Sequence, residues 1–213
     1  MTADKTDNTI RLLIVDDHFF VRMGLAESIN DEDNLEVIAE ASNSEEALVA
    51  FREHRPDVVL MDLKLPCKDG IEALTDIRVE DPEARALMLS VDEGEDDIHR
   101  AVQAGACGYL PKSTEREELL EAIQCVHAGE TYFPAQIAQR LEARSQRPNL
   151  TDREMQVLEL IVKGFSNKEA AAELKVTEPT IKQHAGHLFK KLNVLDRTQA
   201  VTAAIQRGIV KLD

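Results

Sequence analysis

Cysteine is scarce in this chain. Cys67, Cys107 and Cys125 are the only three, an odd number without C-x-x-C spacing, which argues against both a disulfide framework and a zinc site. Long apolar runs are missing as well. None approaches the ~20 residues a membrane helix needs, and the first nine residues, Met1 to Thr9, are polar rather than signal-like. These absences predict reduced, structural cysteines in a cytoplasmic protein with no membrane partner. Cations are also in deficit: 25 Lys and Arg face 40 Asp and Glu, a formal charge of -15, which taken whole speaks against a nucleic-acid partner. No internal repeat or low-complexity segment is evident.

What is present fits a folded chain of one or two domains: 213 residues, 43% hydrophobic and 31% charged, at ~150 residues per domain. The charge is unevenly placed. Residues 148–213 hold ten Lys/Arg and eight Asp/Glu, net +2, which leaves 15 against 32, net -17, for residues 1–147. The two parts face different chemistry.

From Ile10 to about Val126, strand-sized apolar runs alternate with longer segments of helical period. The runs are Ile10 to Val15, Leu35 to Ala39, Val58 to Met61, Ala86 to Leu89 and Tyr109 to Leu110. Near-continuous apolarity predicts strands covered on both faces, as in a parallel sheet. Between them lie Val21, Leu25, Ile29; Ala47, Leu48, Phe51; Ile71, Leu74, Ile77; and Leu119, Leu120, Ile123. Five β/α units predict a doubly wound α/β domain over residues 9–128. Gly129, Pro134, Pro148 and the polar run ARSQRPN break the rhythm and predict a linker over 129–148, with a short helix possible at Ile137 to Leu141. The segment 91–97, VDEGEDD, reads as a solvated acidic loop. After the linker no strand pattern appears. Thr151 and Ser166 open capping boxes, Thr177 precedes a helix with Pro179 in its first turn, and a last helix begins near Arg197. Residues 149–213 are therefore expected to be a four-helix unit.

In an open parallel sheet ligands sit beyond the carboxyl ends of the strands, so the polar residues that follow each run matter most. They are Asp16 and Asp17, Asp62, Ser90 and Lys112. Each alone is ordinary turn chemistry. Together they are the pieces of one site: clustered carboxylates need a compensating cation, hard oxygen ligands suit Mg²⁺, and a lysine can neutralise phosphoryl oxygens.

The segments IVDDH, DVVLMDLKLP, LMLS and AGACGYLPKS resemble the receiver domain of two-component response regulators, a flavodoxin-like five-stranded parallel sheet, over about residues 9–128. The resemblance implies that Asp62 is the phospho-acceptor, that Asp16, Asp17 and Asp62 hold the metal, that Ser90 is the switch hydroxyl and Lys112 the phosphate-pairing lysine, and that Tyr109 is the switch aromatic, following Ser90 into the space it vacates. It also implies a sensor histidine kinase as phosphodonor. One departure stands out: Pro111 precedes the lysine and Ser113 follows it, where many receivers place proline after it.

In the tail, Ile181, Ala185, Leu188 and Leu192 form a helical stripe that faces a core, with Lys182, Gln183, Gly186 and Lys190 opposite. Two helices joined by a tight turn, the second polar and basic near its start, is the layout that enters a major groove. The run from LTDREMQVLELIVKGFSNKE to HLFKKLNVLDRTQAV is similar to the helix-turn-helix of the LuxR/NarL type over roughly residues 149–202. The similarity implies that Lys182 and Gln183 lie closest to base edges, while Lys168, Thr180, Lys190 and Lys191 contact phosphates. Gly186 departs from the longer side chain often found there. His184 and His187 have no third ligand nearby and are not read as a metal site. The last helix is implied in dimerisation, with core packing an equal alternative.

The two resemblances together predict a response regulator of the NarL/FixJ type, not a metabolic enzyme. It would accept and slowly lose a phosphoryl group at Asp62, form a homodimer when phosphorylated, and bind promoter DNA. The alternatives are a phosphorylation-independent DNA-binding regulator with a vestigial receiver, and a Mg²⁺-dependent phosphohydrolase. The phosphohydrolase is disfavoured because Leu63 and Lys64, not a second carboxylate, follow Asp62.

Overall fold

The computed structural model describes residues 9–91 and 94–210, which form two compact units: one holds residues up to 91 and Ile98–Ala138, the other holds residues 94–97 and those from Gln139 on, so that the helix Glu95–Gln103, which otherwise belongs to the first unit, starts in the second. In the first unit, strands and helices alternate: β1 Ile10–Val15, α1 Phe19–Asn30, β2 Leu35–Ala41, α2 Ser44–His54, β3 Val58–Asp62, α3 Gly70–Glu80, β4 Ala86–Ser90, α4 Glu95–Gln103, β5 Gly108–Pro111 and α5 Arg116–His127. The strands pair in the order β2-β1-β3-β4-β5, every pair parallel. All residues of β3 and β4 are buried, which is why those segments read as unbroken apolar runs. On one face Leu12, Ile14, Leu60, Leu87, Leu89 and Leu110 pack with Ile29 of α1 and Leu119, Ile123 and Val126 of α5. By the strand period of two, Leu13, Val15 and Met61 turn to the other face, and they are equally buried.

Three expectations are corrected. The acidic stretch is not a loop throughout: Glu95, Asp96 and Asp97 form the first turn of α4, where carboxylates offset the partial positive charge of the helix start. Its Asp92 and Glu93 lie outside the described residues. The linker expected over 129–148 contains an 11-residue helix, α6, at Ala135–Ser145, longer than the short helix expected, and Ile137 on it is fully buried. The first unit also extends past residue 128. Tyr132 pairs with Gly108, its N–H donating to the Cys107 carbonyl at 2.9 Å and its carbonyl accepting from the Tyr109 N–H at 3.2 Å. This pairing covers part of the edge of β5. Gly108 is required there, since a Cβ would stand 2.8 Å from the Tyr132 carbonyl oxygen.

The second unit holds α7 Asp152–Val162, α8 Asn167–Glu173, α9 Glu178–Leu192 and α10 Arg197–Gln206. Both capping boxes are formed, Thr151 with Glu154 and Ser166 with Glu169, and Thr177 caps α9 with Pro179 in the first turn. Val157, Leu158, Ile161, Ile181, Ala185, Leu188, Leu192, Ala200 and Ala204 make its core. Glu154 is buried and does more than cap. Its Oε2 accepts from the Thr151 N–H at 2.8 Å and from Lys191 Nζ at 2.6 Å, tying the start of α7 to the end of α9. Burial pushes its carboxyl up, but the bonds from Lys191 and Thr151 outweigh that and hold it below the ordinary glutamate value.

Two outcomes follow from these contacts. Because the Glu154 pKa is depressed in the fold, its contribution is present above the ordinary carboxylate range and is lost as pH falls through the lower, folded-state value. Glu154→Ala is expected to cost about 1.5–3 kcal/mol near neutral pH, with the gap to the unsubstituted chain narrowing in acid, as measured by denaturant unfolding. At the first residue of α3, a Cβ on Gly70 would fall 1.9 Å from the backbone oxygen of Asp62. Gly70→Ala is therefore expected to destabilise the first unit by about 1–3 kcal/mol, visible in the same unfolding experiment, whereas Gly164→Ala in the second unit leaves the first unit's transition where it was.

Candidate functional site

Parallel strands deliver their carboxyl ends to one edge, and four of the five here deliver polar groups to it. Asp62 is the last residue of β3 and is buried. Its backbone is fixed from two directions, by the Leu63 N–H on the Leu89 carbonyl at 3.1 Å and the Gly70 N–H on the Leu63 carbonyl at 2.8 Å. Asp16 follows β1 and is 1% exposed, with its N–H on the Ala41 carbonyl. Lys112 follows β5, its N–H donating to the Ser90 carbonyl at 2.8 Å, so the end of β4 sets the height of the lysine. Pro111 pairs with Ser90 as the last residue of β5. The departure at Pro111 thus leaves the lysine in place.

The side chains converge. Lys112 Nζ stands 2.6 Å from Asp16 Oδ2 and 2.7 Å from Asp62 Oδ2. Asp62 Oδ1 accepts from the Lys64 N–H at 3.2 Å, and Asp16 Oδ1 from the His18 N–H at 2.9 Å. Burial pushes the Asp62 carboxyl above its ordinary value, the Lys112 ammonium opposes that shift and the Asp16 charge adds to it. For Lys112 burial works downward, yet its bonds to Asp16 and Asp62 win and hold the ammonium above the ordinary lysine value.

Ligand atoms of Asp16, Asp17, His18 and Asp62 all lie within 4.8 Å of one another. Three carboxylates and one lysine leave an excess of negative charge. At ~4 Å and an effective dielectric of ~20 the buried like pair of Asp16 and Asp62 costs ~4 kcal/mol, and water can relieve little of it. Asp16 Oδ2 is met by the Lys112 ammonium. A hard divalent cation fits this donor set.

Three contributors went unread in the sequence. His18 Nδ1 is 2.6 Å from Asp17 Oδ1, Arg22 Nη1 donates to the Asp16 carbonyl at 2.6 Å, and Gly70 allows the close approach to Asp62 described above. The DDH string and the DG at 69–70 were the available signals. Ser90 is buried at the end of β4. Tyr109, in β5, is fully buried.

In the second unit the exposed face of α9 carries Lys182, Gln183, Gly186, His187 and Lys190, and Lys168 is exposed on α8. Lys182 pairs with Glu178 one turn earlier at 2.9 Å, both solvated, a contact worth little and easily exchanged. The Thr180 hydroxyl lies 2.8 Å from that of Thr177 at the helix cap. Lys191 differs from expectation: its ammonium is bonded to the Glu154 carboxylate and to the Asn149 carbonyl at 3.0 Å, so it braces the unit's own fold.

Comparison with known proteins agrees with both halves. Residues 12–124 match the response regulator receiver domain and residues 148–204 the bacterial regulatory proteins of the luxR family. The response regulator protein VraR of Staphylococcus aureus is 35% identical over 208 residues, covering 95% of this chain and all of that one. A LuxR-family two-component response regulator from Aurantimonas is 39% identical over 64% of this chain and 98% of its own, with a TM-score of 0.62. RcsB from Salmonella enterica, in a structure bound to promoter P1flhDC with the phosphomimetic BeF3-, shares the fold at a TM-score of 0.74 and 22% identity, covering 92% of this chain and 98% of that one. Strand-end carboxylates with a bridging lysine in one unit, and a capped helix-turn-helix in the other, are thus the two halves of a known arrangement: the chain belongs to the two-component response regulators that carry a LuxR-type DNA-binding domain.

Proposed function

We propose that Asp62 accepts a phosphoryl group from the phosphohistidine of a sensor kinase, and that this modification controls sequence-specific binding of promoter DNA by α9. The observation that carries the reading is Lys112, whose ammonium lies within 2.7 Å of both buried carboxylates, Asp16 and Asp62. In the transfer an Asp62 oxygen attacks phosphorus, the bond to the histidine nitrogen breaks, and its electron pair returns to the imidazole. A mixed anhydride remains on Asp62. Lys112 is close enough to exchange its carboxylate contact for a phosphoryl oxygen, and Ser90, at the neighbouring strand end, supplies a hydroxyl to another. Asp16, Asp17 and Asp62 would hold Mg²⁺, which when bound supplies positive charge opposite the phosphoryl oxygens. Tyr109, packed beside these strand ends, transmits the rearrangement through its burial, and slow hydrolysis of the anhydride resets the protein.

At the other end of the mechanism, Lys182 and Gln183 read base edges, while Lys168, Lys190 and the Thr180 hydroxyl contact phosphates and set register. A homodimer of the phosphorylated form would present two reading helices to half-sites ~34 Å apart. The setting is the cytoplasm, where kinase and chromosome are both reached; among the described residues no helix is long and apolar enough to cross a membrane.

Treatment of the full chain with acetyl phosphate and Mg²⁺ is expected to give a phosphoryl adduct by mass spectrometry and to shift its DNA affinity. Asp62→Asn is expected to show neither. Equal affinity curves for the two proteins would favour the vestigial receiver. Lys182→Ala is expected to cost about 1–3 kcal/mol on a selected site if it contacts a base, measured by fluorescence anisotropy; a change confined to the salt slope reassigns it to a phosphate.

A further inference from the structure

α9 carries a glycine that its own unit does not explain. Gly186 sits in the middle of a 15-residue helix with ordinary helical backbone, and a Cβ added to it would meet no atom within 4 Å. It permits no tight turn and no close packing. Glycine is also the weakest helix former after proline, so the position lowers the stability of the helix for no internal return. Its surroundings say what it faces. Gly186 is exposed, with Lys182 one turn before it and Lys190 one turn after, also exposed. At 1.5 Å per residue the two ammonium stems stand ~12 Å apart along the helix, with Gly186 bare midway in a stretch that also carries Gln183 and His187. That stretch opens into a groove of about 630 Å³ lined by Lys182, Ala185, Gly186 and Phe189 of α9 and by Ser166 and Asn167 at the start of α8. Lys182 supplies a cationic rim, Glu169 of α8 an acidic one, and Ala185 and Phe189 supply an apolar floor.

We infer that Gly186 is a specificity-determining residue: its missing side chain leaves a hollow in the reading face that admits the C5-methyl group of a thymine. The inference rests on the proposal that α9 reads DNA. The chemistry fits the lining. In the major groove thymine is distinguished by an apolar methyl that favours apolar contact, and the flanking lysines are placed for the phosphates or guanines on either side. A side chain at 186 would fill the hollow and hold the helix away from the base edges.

The test uses the full chain, with acetyl phosphate, in rounds of selection from a random duplex library, followed by substitution of each thymine in the recovered site by deoxyuridine, which lacks only the methyl. The wild-type chain is expected to lose about three- to tenfold in affinity at one thymine position. Gly186→Leu is expected to melt at an equal or higher temperature, because the space is open and leucine favours the helix. It should recover a site without that thymine and be indifferent to deoxyuridine. Gly186→Ala, a smaller plug, should fall between the two. A wild-type chain indifferent to deoxyuridine at every position, or a Gly186→Leu protein that recovers the same site with the same affinity, overturns the inference while leaving α9 a DNA reader. A wild-type chain that selects no sequence removes the DNA-reading proposal itself, and this inference with it.

Discussion

The first unit is organised around an electrostatic problem, the gathering of like charges where water is scarce. A parallel sheet brings the ends of β1, β3, β4 and β5 to one edge, and two of those ends are carboxylates with almost no solvent contact. Lys112 is the group that makes this tolerable, since its ammonium touches both. The compensation is partial: Asp62 still sits above the ordinary aspartate value because burial outweighs the lysine. A site that binds its own lysine while retaining excess negative charge has the donor set for a divalent cation, and the proposed phosphoryl transfer would exchange partners there. Chemical readiness and incomplete charge balance are here the same property.

The backbone around that cluster leaves little slack. The Gly70 N–H and the Leu89 carbonyl hold Leu63 from opposite sides, the Ala41 carbonyl holds Asp16, and the Ser90 carbonyl holds Lys112. Each site residue is therefore placed by a neighbouring strand or loop rather than by its own. A shift at one strand end is felt at the next, which would give the proposed modification at Asp62 a route to the packing of Ser90 and Tyr109. The second unit uses a similar device for stability alone. Glu154 is at once a capping residue for α7 and the ion-pair partner of Lys191 on α9, so the helix proposed to read DNA is anchored at its far end while Lys182 and Gly186 stay exposed.

Much of this was legible before any coordinates. The fully buried strands read as apolar runs because both faces are covered, and the helices of the second unit announced themselves through Thr151, Ser166 and Thr177, whose side chains accept bonds from amides that helices leave orphaned. Other elements were not legible. α4 begins with three acidic residues that resemble a solvated loop until a helix start is there to use them. α6 was legible only in part: a short helix reads at Ile137 to Leu141, while Pro134, Pro148 and the polar run mask its full extent at Ala135–Ser145. The pairing of Tyr132 with Gly108 joins residues 24 positions apart, and no local pattern encodes it.

By itself the sequence determined which residue types stand at each strand end, where the capped helices begin, and that a five-strand parallel sheet precedes a small helical unit, because period, burial and capping are local properties. Only the tertiary structure decided which of those groups meet. It paired Lys112 with Asp16 as well as Asp62, turned Lys191 inward to Glu154, buried Tyr109, and left Gly186 facing open space. Charge pairing and side-chain burial depend on distances across the fold, and distances exist only once the chain has closed on itself.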